Sequence, residues 1–217
     1  FGVDWKKVQN EVKAEHEKKG YGGRFGPGLP RISDGSLLFL LHLISKMRPA
    51  AEGGSRVGIV LNGSPLFTGD AGSGESEIRR WVLENDLLEA IIALPNDLFY
   101  NTGIATYVWI LDNAKNAERK GKVQLIDATR MYLKMKKSLG NKRVEMSEAQ
   151  ISEIVKAYAE FKEGATFLQE FKEPVKWNGN GNPAEPAPPR IVSKKFDKGF
   201  FGYRKVTVDR PPSPGKE

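Results

Sequence analysis

Two segments with the period of a helix alternate with two unbroken apolar runs, and few folds accommodate that order. Leu37, Leu40, Leu41, Ile44 and Met47 recur at i, i+3, i+4, i+7 and i+10, so they share one helix face, and Pro49 ends the helix. The run Val57-Gly58-Ile59-Val60-Leu61 then reads as a buried strand. A turn over residues 70–75 leads into a second helix that is acidic at its start (Glu75, Glu77), apolar at Ile78, Trp81 and Val82, and finished by Asn85. A second strand is expected over residues 88–94, bounded by Pro95, with a third at 104–111 and a fourth at 123–126. Helices alternating with buried strands imply an α/β sheet covered on both faces. The gap between the second and third strands is too short for a helical crossover, which needs about ten or more residues. That pair is therefore expected to be antiparallel.

The rest of the chain is less regular. Residues 1–35 mix charges with Gly20, Gly22, Gly23, Gly26 and Gly28 and carry no sustained apolar period, which suggests a long surface loop with one short helix at 5–17. Ser147-Glu148-Ala149-Gln150 has the form of a capping box, with Ile151, Ile154, Val155, Tyr158 and Phe161 expected on one helix face. The expected organisation is one unit over 1–208: a sheet core at 35–130, a basic segment and helix at 131–176, a Gly/Asn/Pro-rich loop at 177–199 and a closing strand at 200–208. A proline-rich tail follows at 209–217. The first residues, Phe1-Gly2-Val3, include no initiator Met and resemble no signal peptide, so the chain reads as cut from something longer.

Composition narrows the chemistry. With no cysteine, thiol nucleophiles and zinc-thiolate or iron–sulfur sites are excluded. With only His16 and His42, neither in a ligand-spaced cluster, a His-rich metal site is disfavoured. No apolar run approaches the roughly 18 residues of a membrane span. The net charge of +7 is unevenly placed: residues 115–143 hold ten basic residues against Glu118 and Asp127. Such a strip is either a solvated surface or the footprint of a polyanion.

Several motifs invite a functional reading. The glycines at 20–28 and 69–74 lack the context of a dinucleotide fingerprint and the Lys-Ser/Thr of a phosphate loop, so they read as turn glycines. Asn62-Gly63-Ser64-Pro65 follows the first strand at its carboxyl end, where open α/β sheets place ligands. Asn101-Thr102-Gly103 is a polar turn after Phe99-Tyr100 that could line a base pocket.

The run RVGIVLNGSPLF at 56–67, Glu77-Ile78-Arg79-Arg80-Trp81 through Leu94-Pro95, LFYNTGIAT at 98–106 and Phe201-Gly202-Tyr203 together resemble the adenine-specific DNA methyltransferase subunit of type I restriction-modification systems. The resemblance implies a Rossmann-like methyltransferase fold, of which this chain would supply the second half of the sheet with an antiparallel strand pair. It implies S-adenosyl-L-methionine as methyl donor, a flipped adenine as acceptor, DNA and the specificity and restriction subunits as partners, no membrane, and a cytoplasmic setting. The family's Asn-Pro-Pro-Phe motif is commonly followed by Gly, so Phe1 would be its last residue and would stack on the target base. The rest of that motif and the donor site would then lie elsewhere, and this polypeptide alone would be inactive. On the DNA side the candidates are Arg24 in the glycine-rich 21–30 segment, Asn101 and Thr102, and above all Lys134, Lys136 and Lys137. A competing expectation is a non-catalytic DNA-binding or subunit-docking module that uses the helix at 147–161 and the loop at 177–190. A dinucleotide-dependent oxidoreductase half-domain is disfavoured for want of a glycine fingerprint.

Overall fold

A computed structural model describes residues 2–171 and 190–202. The first helix, α1 (Gln9–Lys19), follows a short 3-10 turn and leads through the glycine-rich segment to α2 (Ser36–Ile44). Strand β1 (Arg56–Asn62), the single-turn helix α3 (Ser64–Phe67), α4 (Gly74–Glu84), β2 (Leu88–Ala93), β3 (Thr106–Asp112) and β4 (Lys122–Asp127) then follow in order. A two-stranded hairpin, β5 (Leu133–Leu139) and β6 (Lys142–Glu145), precedes α5 (Glu148–Ala159) and β7 (Ser193–Asp197).

Five strands form one mixed sheet in the order β1-β3-β2-β4-β7. β3 runs antiparallel to both β1 and β2, while β2 and β4 are parallel. The antiparallel β2–β3 pair is the one required by the short connection between them. The consequence for function is directional: Asn62, Ala93 and Asp127, the carboxyl ends of β1, β2 and β4, all lie at one end of the sheet.

Strand alternation sorts the core into two layers. Trp109, Leu111, Leu61 and Val123 pack with Leu37, Leu40 and Leu41 of α2 and Ile78 and Val82 of α4. Ile92 and Ile126 face the other way, against Ile154 and Ala157 of α5 with Phe167 and Val192. Ser147 caps α5 with the reciprocal bonds of a capping box: Gln150 N donates to Ser147 Oγ at 3.3 Å and Ser147 N donates to Gln150 Oε1 at 3.0 Å.

Four expectations need correction. β1 is an end strand in which only Leu61 is buried, because α5 packs on the β4 side of the sheet and leaves Val60 37% exposed. The first 35 residues are not merely a surface loop: Trp5, Val12 and Phe25 are buried in the larger cluster, with Trp5 Nε1 donating to the Arg31 carbonyl at 2.9 Å. On α5 the buried set is Gln150, Ile154 and Ala157, which leaves Ile151 and Val155 exposed instead of sharing the inner face. The last strand lies at Ser193–Asp197, inside the stretch expected to be a loop, where it pairs with β4; residues 200 and 201 of the expected closing strand fall instead in a 3-10 turn at Lys198–Phe201. Residues 203–208, the 209–217 tail and most of the 177–190 loop lie outside the described residues.

Candidate nucleic-acid interface

The basic strip divides in two. Lys115 and Arg119, each 5% exposed, are structural. Lys115 Nζ donates to Asp86 Oδ1 and to the Leu88 carbonyl, both at 2.7 Å. Arg119 pairs with the fully buried Glu89 at 3.2 Å and lies over the rings of Tyr158 and Phe161. Lys122 faces Asp197. These residues precede or open β4, so they sit at its amino end, and the expectation that the whole stretch offers cations to a polyanion fails for them. Buried cations need partners, and these have them.

The second part lies beyond the carboxyl end of β4. Between residues 130 and 143 the chain holds Arg130, Lys134, Lys136, Lys137, Lys142 and Arg143 and no acidic residue. Asp127, just before them, is engaged by Arg190. Five of these cations fall on the hairpin strands and Arg130 precedes them, and none forms an ion pair among the described residues. Lys134, Lys136 and Lys137 are all exposed, and Lys134 Nζ sits 4.9 Å from the centroid of the Phe171 ring.

The hairpin is fixed by its turn and its neighbour. Gly140, at the first position of the two-residue turn, has φ 60°, a conformation that Gly adopts without strain in tight hairpins. Its Cα passes so near the backbone that an added Cβ would come 2.9 Å from the Tyr100 carbonyl oxygen. That same carbonyl accepts Asn141 N at 3.0 Å, and the Asp97 carbonyl accepts Arg143 N at 2.9 Å and Val144 N at 3.3 Å. The hairpin is thereby pinned to the 94–105 connection, which begins at the carboxyl end of β2. Lys142 Nζ lies 5.3 Å from the centroid of the Tyr100 ring, and that residue is 58% exposed.

The sequence candidates are therefore only partly brought together. Lys134, Lys136 and Lys137 share β5, and Asn101 and Thr102 stand beside its tip, where Phe99 and Thr102 form an isolated bridge. Arg24 is elsewhere in the fold. Its guanidinium donates to both carboxylate oxygens of Glu15 and to His42 Nδ1, and this pairing holds the Glu15 carboxyl down at about 2. Phe1 lies outside the described residues. Sequence reasoning marked Tyr100 and Arg143 only as neighbours of the polar turn and members of the basic strip, and missed the hairpin that brings them together; the signal available was Gly140-Asn141 between two short runs.

The glycine clusters and histidines also have structural work. An added Cβ on Gly74 would overlap the Leu29 carbonyl oxygen, and one on Gly28 would come 2.8 Å from the Gly74 carbonyl oxygen. In the Asn62–Ser64 turn, Ser64 N donates to Asn62 Oδ1 and Leu66 N to the Gly63 carbonyl. These amides are engaged and form no cradle for a ligand. His16 Nδ1 donates to the Phe25 carbonyl at 2.7 Å. Neither the glycine clusters nor the Asn62–Ser64 turn thus offers a cradle for S-adenosyl-L-methionine. No group of them could hold a metal ion, and no described helix is long and apolar enough to cross a membrane.

Comparison with known proteins gives a consistent picture. Residues 1–177 match the N-6 DNA Methylase family. The MjaVIII type I restriction enzyme methylase subunit of Methanocaldococcus jannaschii is 39% identical over 108 residues, half of this chain and 18% of that protein. The MjaIX methylase subunit of the same organism is 29% identical over 155 residues, 71% of this chain and 26% of that protein. A solved type I restriction-modification methyltransferase subunit from Streptococcus thermophilus matches with a TM-score of 0.58 and 26% identity, covering 75% of this chain and 30% of that one. The chain accordingly spans less than a third of the length of these relatives.

Proposed function

The chain belongs to the N-6 DNA Methylase family, and on that premise we propose that it is part of a site-specific, adenine-specific DNA methyltransferase subunit of a type I restriction-modification system. In this reading the carboxyl end of its sheet faces DNA. The observation that carries it is the β5–β6 hairpin: six cations at 130–143 with no acidic residue, tied by backbone bonds to the exposed Tyr100 and the polar Asn101-Thr102 turn. A basic surface beside an exposed aromatic ring is what a backbone-tracking, base-holding interface requires.

The division of labour follows from the chemistry. An adenine N6 inside a duplex is out of reach, so the base must leave the stack and be held by ring stacking and bonds to its edge. Lys136 and Lys137 contact phosphates, Lys134 adds a third cation braced on Phe171, and Asn101, Thr102 and Tyr100 line the base side. Phe1 is the family-implied stacking residue. S-adenosyl-L-methionine supplies the methyl group in such enzymes. Because the glycine clusters and the Asn62–Ser64 turn offer it no cradle and the sequence contains no Asn-Pro-Pro, the chain by itself is proposed not to methylate DNA. The specificity and restriction subunits and DNA are its proposed partners, in the cytoplasm.

A second reading, a docking module, has one observation in its favour: Ile151 and Val155 are 40% and 56% exposed along the outer side of α5. Capture of a specificity subunit in high salt would favour it, because apolar docking survives screening and charge attraction does not. The main reading is tested by titrating a labelled duplex with the chain at several salt concentrations. It expects log affinity to fall with log salt at a slope of about −3 or steeper; absent or salt-independent binding contradicts it.

A further inference from the structure

The β5–β6 hairpin is strongly basic, yet two carboxylates stand at its foot, and one arginine engages both. Arg190 Nη1 donates to Asp127 Oδ2, while its Nε donates to Glu170 Oε1 at 3.2 Å and its Nη2 reaches the same oxygen. We infer that Arg190 is a positioning residue for DNA binding that acts through these partners as a charge shield, offsetting part of the repulsion that Asp127 and Glu170 exert on the phosphates drawn to Lys134 and its neighbours. This inference rests on the DNA-binding reading above and goes beyond it by giving a role to a residue outside the hairpin.

Neither carboxylate is free to turn away. Asp127 ends β4, and its Oδ1 accepts Thr129 N at 3.1 Å and Thr129 Oγ1 at 2.6 Å. Glu170 lies between two backbone anchors: the Gln169 carbonyl accepts Gln150 Nε2 at 2.8 Å, and Phe171 N donates to the Arg130 carbonyl at 2.7 Å. The Phe171 ring stacks on Tyr132 at 4.8 Å and 16° and lies 4.9 Å from Lys134 Nζ. An unbroken run of contacts therefore leads from Asp127 through Arg190, Glu170 and Phe171 to Lys134. Charges so placed act on the same phosphates, because the screening length is about 10 Å at roughly 0.1 M salt.

Arg190 is held as firmly. Val192, two residues on, donates its N–H to the Ala165 carbonyl at 2.8 Å, and its own carbonyl accepts Asp127 N at 2.7 Å. The Asp127 side chain is 46% exposed, so it faces the solvent that DNA would displace, and its pairing with Arg190 adds little to stability. What the pairing changes is the local field. One cation set against two carboxylates halves their net negative charge at the foot of the hairpin.

The test measures affinity for a labelled duplex, at low and at high salt, for the unaltered chain and three variants whose folding is checked by circular dichroism. Arg190→Gln leaves both carboxylates uncovered. The triple change Asp127→Asn, Glu170→Gln, Arg190→Gln leaves no charge in the cluster, and the double change Asp127→Asn, Glu170→Gln leaves the arginine alone. The expected low-salt order, weakest first, is Arg190→Gln, unaltered chain, triple variant, double variant, with about two- to threefold between neighbours. The four are expected to converge as salt screens the charges. A strut that serves only to hold the hairpin in shape gives another order, in which the unaltered chain binds most tightly; that result overturns the inference, and so does equal affinity throughout. The double and triple variants decide the matter even if Arg190→Gln does not fold. Absence of all DNA binding by the unaltered chain would instead remove the reading on which the inference depends.

Discussion

Arg119 Nε lies 3.2 Å from Oε1 of Glu89, a carboxylate with no exposed surface in the central part of the sheet. Arg56 Nε also reaches that carboxylate, at 3.2 Å, and the Tyr158 hydroxyl donates to it at 2.9 Å, so one buried charge joins β1, β2, the loop before β4 and α5. A buried charge left wholly uncompensated costs about 3 to 5 kcal/mol, and Glu89 without Arg119 keeps Arg56 and the Tyr158 hydroxyl. Arg119→Met is therefore expected to lose stability in urea unfolding by less than that amount and to leave the salt slope of DNA binding unchanged. A shallower slope would return Arg119 to the interface.

The same cluster governs a titration at high pH. Burial, reinforced by the hydrogen bond to Glu89 and its charge, pushes the Tyr158 phenol up to about 12. A pKa raised in the folded state stabilises the fold fully below the unfolded value of about 10, and that contribution is lost as pH rises through about 12. The stability gap between the unaltered chain and Tyr158→Phe is therefore expected to be constant below pH of about 10 and to narrow above it. A gap that stays constant to the highest pH measured would contradict this.

At the acid end the pair to watch is Glu15 and Arg24. Hydrogen bonds from Arg24 lower the Glu15 carboxyl from an ordinary 4.5 to about 2. A depressed carboxyl contributes stability above its unfolded value, and the contribution disappears as pH falls toward about 2. With the Arg24 side chain 42% exposed, the pair is worth only about 1 kcal/mol or less. Glu15→Gln should be slightly less stable than the unaltered chain at neutral pH and indistinguishable from it near the lower limit.

Gly74 tests whether its cluster serves packing. Its Cα faces the Leu29 carbonyl with no room for a Cβ. Gly74→Ala is expected to destabilise the fold by about 1 to 3 kcal/mol or more, because a backbone oxygen cannot step aside as a flexible side chain can. Unchanged thermal stability would show that the 28–29 segment is free to move.

Much of the sheet was legible because β2, β3 and β4 carry apolar runs long enough to separate strand from helix, and because the residues left between the second and third apolar runs, 95–103, are too few for a helix with its two loops. The capping box at Ser147 was legible for the same local reason. What escaped is long-range. The inner face of α5 is decided by Gln150 bonding to the Gln169 carbonyl, a contact that apolar periodicity cannot report. β5 has the composition of a solvated strip, and only its pairing with β6 makes it a strand. β7, with the sequence SKKFD, is recruited by β4 rather than by its own pattern. The site was half legible: Lys134, Lys136 and Lys137 stood out by density, but nothing in the order of residues showed that Arg119 turns inward or that Tyr100 lies under the hairpin tip.

The central claim, that the hairpin grips DNA phosphates, is tested most directly by replacing Lys134, Lys136 and Lys137 with Ala and measuring duplex affinity against salt. Three lost phosphate contacts are expected to make the plot of log affinity against log salt shallower by about three units, and the Lys136→Ala, Lys137→Ala double variant by about two. A slope equal to that of the unaltered chain, in variants with unchanged circular dichroism, would contradict the account.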